Sequence, residues 1–144
     1  MLFATASYAR DNAFAAGSGG RELRILLVED SLRLQTRLTE LLTRPGVMMV
    51  TGVADTEDGA MELLAARPFD VLVVDVELRQ GSGINVVRLT RARTELAAPP
   101  LIIVLTNYDL RSVRERCLAA GADHFLDKMR EFDQLLPLIE GIRK

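Results

Sequence analysis

The chain has a single cysteine, Cys117, in 144 residues. It therefore cannot form an internal disulfide, and a reducing cytoplasm is its expected setting. It also has a single histidine, His124. Without a second histidine or a cysteine nearby in the pattern, a zinc-type site is not expected there. Net charge is only −2, and acidic and basic residues are interspersed. No strongly basic stretch is present to leave the electrostatic footprint of a nucleic-acid binder. No apolar run approaches the length of a membrane span. The first residues, MLFATASYARDN, lack the charged start and apolar stretch of a secretion signal. Expected partners thus include neither nucleic acid nor membrane.

What is present is a hydrophobic content of 49%, enough for one well-filled core. Residues 1–20 end in Ala-Ala-Gly-Ser-Gly-Gly and are expected to form a flexible tail, leaving 21–144 as one domain. From Leu23 onward, short apolar runs alternate with helical spacing. Strands are expected at Leu23–Val28, Val47–Val53, Val71–Asp75, Leu101–Thr106 and His124–Asp127. Helices should follow each of them. Ser31 is expected to cap the first, with Leu34, Leu38, Leu41 and Leu42 on its inner face. Asp55 is expected to cap the second, with Ala60, Leu63 and Leu64 inward. The third runs from Ile84 to about Leu96, and the fourth from about Asp109 to a stop at Gly121. The last carries Phe132, Leu135, Ile139 and Ile142 and must accommodate Pro137. Strand and helix alternating five times imply an α/β fold, a doubly wound parallel sheet covered on both faces. In such sheets ligands bind at the carboxyl ends of the strands.

Those ends carry Glu29-Asp30-Ser31, Asp75, Thr106-Asn107 and Asp127-Lys128. Carboxylates gathered on one edge repel one another and call for a counter-charge. Magnesium is the natural choice, since it takes hard oxygen ligands and shares its shell with phosphate. Asp75 would be both a metal ligand and a nucleophile, in the manner of aspartyl-phosphate chemistry. Phosphoryl transfer needs mainly positioning and charge neutralisation, to which Lys128 and Thr106 would contribute.

Four segments carry a specific resemblance: RILLVEDS at 24–31, VLVVDVELRQGSG at 71–83, IIVLTN at 102–107 and AGADHFLDK at 120–128. Together they resemble the receiver domain of bacterial response regulators, of the stand-alone, CheY-like type. The resemblance implies a flavodoxin-like strand order 2-1-3-4-5. It implies a role in a two-component or phosphorelay system, with phosphorylation by a histidine kinase or phosphotransfer protein. By the same resemblance Glu29 and Asp30 hold Mg2+, Asp75 accepts the phosphoryl group, and the backbone carbonyl of Glu77 is the remaining metal ligand from the protein. Thr106 is the switch hydroxyl, Lys128 bonds the phosphoryl group, Phe125 swings inward as Thr106 moves, and Gly83 lets the loop turn into the third helix.

Two departures stand out. Met129 follows Lys128 where the family often has a proline in a cis peptide, and Arg79 stands where a proline is usual after the acceptor. Neither removes a group the chemistry needs. With little chain after Lys128, output is expected through protein contact on the face of the fourth helix, fifth strand and fifth helix. The chain is not expected to be an enzyme beyond its own phosphorylation and dephosphorylation. An aspartate-dependent phosphatase would place its nucleophile after the first strand, and Glu29-Asp30 would repel the phosphate of a flavin. The alternative is a receiver fold that binds partners without phosphorylation.

Overall fold

The computed structural model describes residues 21–93, 98–108 and 110–142. The expected flexible tail, Asp109 and residues 94–97 lie outside them. The chain order is β1 (Leu23–Val28), α1 (Leu32–Leu41), β2 (Met48–Ala54), α2 (Glu57–Ala66), β3 (Val71–Val74) and α3 (Gly83–Arg91), then β4 (Leu101–Thr106), α4 (Arg111–Ala120), β5 (His124–Asp127) and α5 (Leu135–Gly141). The strands form one sheet in the order β2-β1-β3-β4-β5. Every pairing in it is parallel.

Period-two alternation divides each strand between two cores. On one face Leu26, Val28, Leu72, Val74, Ile102, Val104 and Phe125 pack with Ala60, Leu64, Val86, Val87, Val113 and Cys117. That face is covered by α2, α3 and α4. On the other, Ile25, Leu27, Val71, Val73, Ile103, Leu105 and Leu126 meet Leu38 and Leu42 from the first helical segment and Leu135 and Ile139 from α5. Each fully buried Leu, Ile or Val contributes roughly 1.5–3 kcal/mol. Both faces being apolar is why β3 and the interiors of β1 and β4 appear in the sequence as hydrophobic runs. Among the described residues no helix is long and apolar enough to cross a membrane.

Several boundaries differ from expectation. Strand β2 starts and ends one residue later, and its pairing with β1 steps from Val50 to Gly52, leaving Thr51 as an extra residue. Strand β3 stops at Val74, so Asp75 is the first residue beyond it. Thr56, not Asp55, caps α2: its hydroxyl accepts the Gly59 N–H at 2.9 Å. Asp55 is drawn away by Arg79, whose guanidinium donates to it at 2.9 and 3.3 Å. Helix α3 begins at Gly83 and ends at Arg91; its expected end near Leu96 falls outside the described residues. A short 3-10 turn, Phe132–Gln134, precedes α5. Pro137 therefore falls in the first turn of α5, where a missing N–H breaks no intrahelical bond. Ile142 lies just past the end of α5 and is 40% exposed, not inward. The ends of α1 and α4 follow the sequence more closely. Ser31 Oγ accepts the Leu34 N–H at 3.3 Å, and Gly121 closes α4 with φ of 118°, a conformation side-chain-bearing residues rarely adopt.

The lower edge of the sheet is pinned by Asp70, which receives Arg21 at 2.8 Å and both the backbone and the guanidinium of Arg24 at 2.7 and 3.0 Å. Burial pushes the Asp70 carboxyl up, but these hydrogen bonds outweigh it and hold it at about 2. A carboxyl depressed below its unfolded value stabilises the fold above that value, and the gain disappears as pH falls through the folded one. Asp70→Asn should therefore cost on the order of 1 kcal/mol at pH 7 once solvent screening is allowed for. Its deficit against wild type in urea unfolding should shrink between the ordinary value of 3.8 and about 2. A deficit that stayed constant over that window would assign the effect to shape and not charge.

Cys117 is fully buried on the inner face of α4, and that burial pushes its thiol up to about 11. Native protein should resist alkylation at pH 8, with labelling by a thiol reagent appearing only in denaturant.

Candidate phosphoacceptor site

The parallel register brings the chemistry together. Val28 pairs with Val74, so the residues after them emerge side by side. The Asp75 N–H donates to Val28 O at 2.9 Å, and the Glu29 N–H to Ala54 O at 2.9 Å. Thr106 pairs with Asp127 at the far side, and the Lys128 N–H donates to Thr106 O at 3.0 Å. Glu29, Asp75 and Thr106 are buried, at 2%, 8% and 1% exposure, whereas Asp30 is exposed.

Lys128 is the centre of this arrangement. Its Nζ donates to Glu29 Oε1 and to Asp75 Oδ2, both at 2.9 Å. Burial pushes the Lys128 ammonium down, but the two carboxylates outweigh it and raise it overall. Glu29 is different. Burial dominates there and pushes its carboxyl up, despite Lys128 and the Ser31 N–H that donates to Oε2 at 3.0 Å. Gln35 adds a hydrogen bond to the Glu29 carbonyl at 2.6 Å and holds the start of α1 against the site. Nothing about Gln35 sets it apart in the sequence; its role comes from lying one turn above the Ser31 cap.

One carboxylate oxygen from each of Glu29, Asp30 and Asp75 lies within 4.8 Å of the others. Three carboxylates against one ammonium leave two uncompensated negative charges. In addition, Asp75 Oδ1 is buried with no hydrogen-bond partner among the described residues. A buried acceptor left unpaired is costly. The donor set, the charge and the orphaned oxygen all fit a hard divalent cation such as Mg2+.

The other expected site residues are placed as follows. Glu77 is exposed and forms an isolated bridge with Ser82 across the loop after Asp75. The Thr106 hydroxyl accepts the Tyr108 N–H at 3.1 Å, within its own loop. Phe125 lies inward, 4% exposed. The Arg114 guanidinium lies 4.7 Å from its ring centroid. Gly83 is required by close approach: an added Cβ would lie 1.9 Å from the Asp75 carbonyl oxygen.

Both departures from the family pattern are compensated. Arg79 pairs with Asp55, and the loop it belongs to is bound to the start of α2. Glu57 N–H donates to Gln80 O at 2.8 Å, and Ser82 N–H to Glu57 Oε1 at 3.0 Å. After Lys128 the chain turns without a cis peptide, none occurring among the described residues. Asp127 Oδ1 accepts the Met129 N–H at 2.7 Å, and Glu131 Oε1 accepts the Asp127 N–H at 2.9 Å. Asp127 and Glu131 thus do the ordering expected of a proline. The sequence carried a signal for this pair, two carboxylates four apart around a turn.

Residues 25–140 match the model of the response regulator receiver domain. The chain belongs to this family. Among curated relatives of this receiver, the transcriptional regulatory protein PdtaR of Mycobacterium tuberculosis is 31% identical, the match covering 81% of this chain and 55% of that protein. The probable chemotaxis protein CheY of Rhizobium etli is 23% identical, over 84% of this chain and 92% of the other. The receiver thus spans about half the length of PdtaR and nearly all of the chemotaxis protein. Among solved structures, the receiver domain of the sensor histidine kinase PA1611 from Pseudomonas aeruginosa is 29% identical with a TM-score of 0.72, covering 85% of this chain and 98% of that one. That structure has a magnesium ion coordinated in its active-site cleft. The chain is accordingly a response regulator receiver of two-component signalling, with an acidic cluster compatible with Mg2+.

Proposed function

We propose that this receiver accepts a phosphoryl group on Asp75 from a histidine kinase or phosphotransfer protein of a two-component or phosphorelay system, and signals by protein contact in the cytoplasm. The observation that carries the reading is Asp75 Oδ1, buried, unpaired and set beside two further carboxylates. Glu29, Asp30, Asp75 and the Glu77 carbonyl would hold Mg2+. When bound, the ion would neutralise charge on the transferring phosphoryl oxygens.

The chain's own residues do the rest. A carboxylate oxygen of Asp75 attacks phosphorus, a P–O bond forms, and the bond from phosphorus to the donor nitrogen or oxygen breaks with its electron pair leaving on the donor. Lys128, held 2.9 Å from Asp75 Oδ2, is positioned to follow the added negative charge. Thr106 can exchange its bond with the Tyr108 N–H for one to a phosphoryl oxygen. The face of α4, β5 and α5 then carries the change to a target protein.

Intact mass after incubation with Mg2+ and acetyl phosphate tests the reading. The wild type should gain one phosphoryl group and Asp75→Asn none. Absence of an adduct at short reaction times in the wild type would support the phosphorylation-independent binding module instead.

A further inference from the structure

We propose that Arg114 is a positioning residue that ties α4 to the phosphoacceptor pocket. It acts through the Phe125 ring and Glu131, so that α4 responds to the charge carried by Asp75. The inference rests on the phosphoacceptor reading and extends it to a residue outside the acidic cluster.

The connection is continuous. Arg114 projects from α4 and places its guanidinium 4.7 Å from the centroid of the buried Phe125 ring. The same guanidinium lies 3.6 Å from Glu131 Oε1. That oxygen also accepts the Asp127 N–H at 2.9 Å, while the Glu131 N–H donates to Asp127 O at 2.8 Å. Asp127 in turn holds the Met129 N–H at 2.7 Å. The turn ordered in this way carries Lys128, whose ammonium bridges Glu29 and Asp75 at 2.9 Å each. Arg114 therefore contacts β5 through the Phe125 ring and the turn after it through the Glu131 carboxylate.

The direction of the effect follows from preorganisation. With the turn fixed, Lys128 is already on Asp75 and loses little freedom when an anion arrives. Without Arg114 the turn loosens, and part of the binding energy must reorder it. By reciprocity, an anion on Asp75 strengthens the hold of Arg114 and thereby steadies α4. The Arg114 side chain is 39% exposed, so the contact is only partly desolvated. A cation–π contact of that kind corresponds to roughly a two- to fivefold change in affinity.

The probe is beryllofluoride, which mimics a phosphoryl group on a carboxylate, titrated calorimetrically in saturating Mg2+. Arg114→Ala should weaken it roughly two- to fivefold, with affinity for Mg2+ alone unchanged. Arg114→Lys should recover part of the loss. Hydrogen exchange in α4 should slow on beryllofluoride binding in the wild type and not in Arg114→Ala. Should Arg114→Ala fail to fold, Glu131→Gln, which keeps the acceptor oxygen and removes the charge facing Arg114, provides the same comparison. Equal beryllofluoride affinity in wild type and variants would overturn the role of Arg114 alone. No beryllofluoride binding by the wild type would overturn the phosphoacceptor reading, and the coupling with it.

Discussion

Lys128→Met is expected to cost about 3 kcal/mol of stability at pH 7, the size of an effect seen when a buried ion pair loses one partner. It should also slow phosphorylation by acetyl phosphate on the order of a hundredfold, comparable to removing one preorganised donor from an oxyanion site. The side chains of Glu29 and Asp75 are only 3% and 10% exposed, and Lys128 is their shared cation. Without it, two buried carboxylates face each other uncompensated, and one of them must take up a proton. Glu29 is the expected site, because burial already pushes its carboxyl up with Lys128 in place. The sign for pH follows. A carboxyl raised above its unfolded value favours the fold at low pH and opposes it as pH rises through the folded value. The variant's deficit should thus be smaller at pH 5 than at pH 7. Millimolar Mg2+ should restore part of the loss, by replacing the missing charge. Thermal unfolding at the two pH values, with and without Mg2+, checks all three. A deficit independent of both pH and Mg2+ would show that Lys128 acts by packing.

Gly83→Ala is expected to be the most damaging single-methyl change in the fold. The new Cβ would meet Asp75 O at 1.9 Å, Asp75 C at 2.8 Å and Val76 Cα at 3.0 Å. All three are backbone, so no side chain can turn aside. Either α3 must lift or the segment carrying Asp75 must move, and the Gly83 N–H to Val76 O bond at 2.9 Å is lost in both cases. Overpacking of this kind costs about 3 kcal/mol or more. Displacing Asp75 should weaken Mg2+ binding by more than the lost stability alone explains. Gly141→Ala is the control, since an added Cβ there meets nothing within 4 Å. It should be neutral or gain up to about 1 kcal/mol in urea unfolding. If Gly83→Ala behaved like the control, the close approach would be of no consequence.

The sequence alone determined the alternation of strand and helix, the buried strands and the edge where Glu29, Asp30 and Asp75 gather. Parallel strands covered on both faces are mostly apolar, so Leu23–Val28 and Leu101–Thr106 were legible to the residue. Asp75 stood out as a charge directly after the apolar run of β3, and Lys128 as the second of two charges that close β5. Local competition was less visible. Asp55 and Thr56 are both good caps; Thr56 takes the role while Asp55 pairs with Arg79, distant in the chain. Phe125 illustrates the same limit: its type marked it for notice, but its burial and the guanidinium of Arg114 over its ring come from the packing of α4 on β5. The bridge of Lys128 between Glu29 and Asp75, the unpaired Asp75 oxygen and the contact of Arg114 with Glu131 were decided by tertiary structure alone. The bridge and the Arg114 contact join residues far apart in the chain, and only the sheet register and the packing of α4 on β5 bring them within reach.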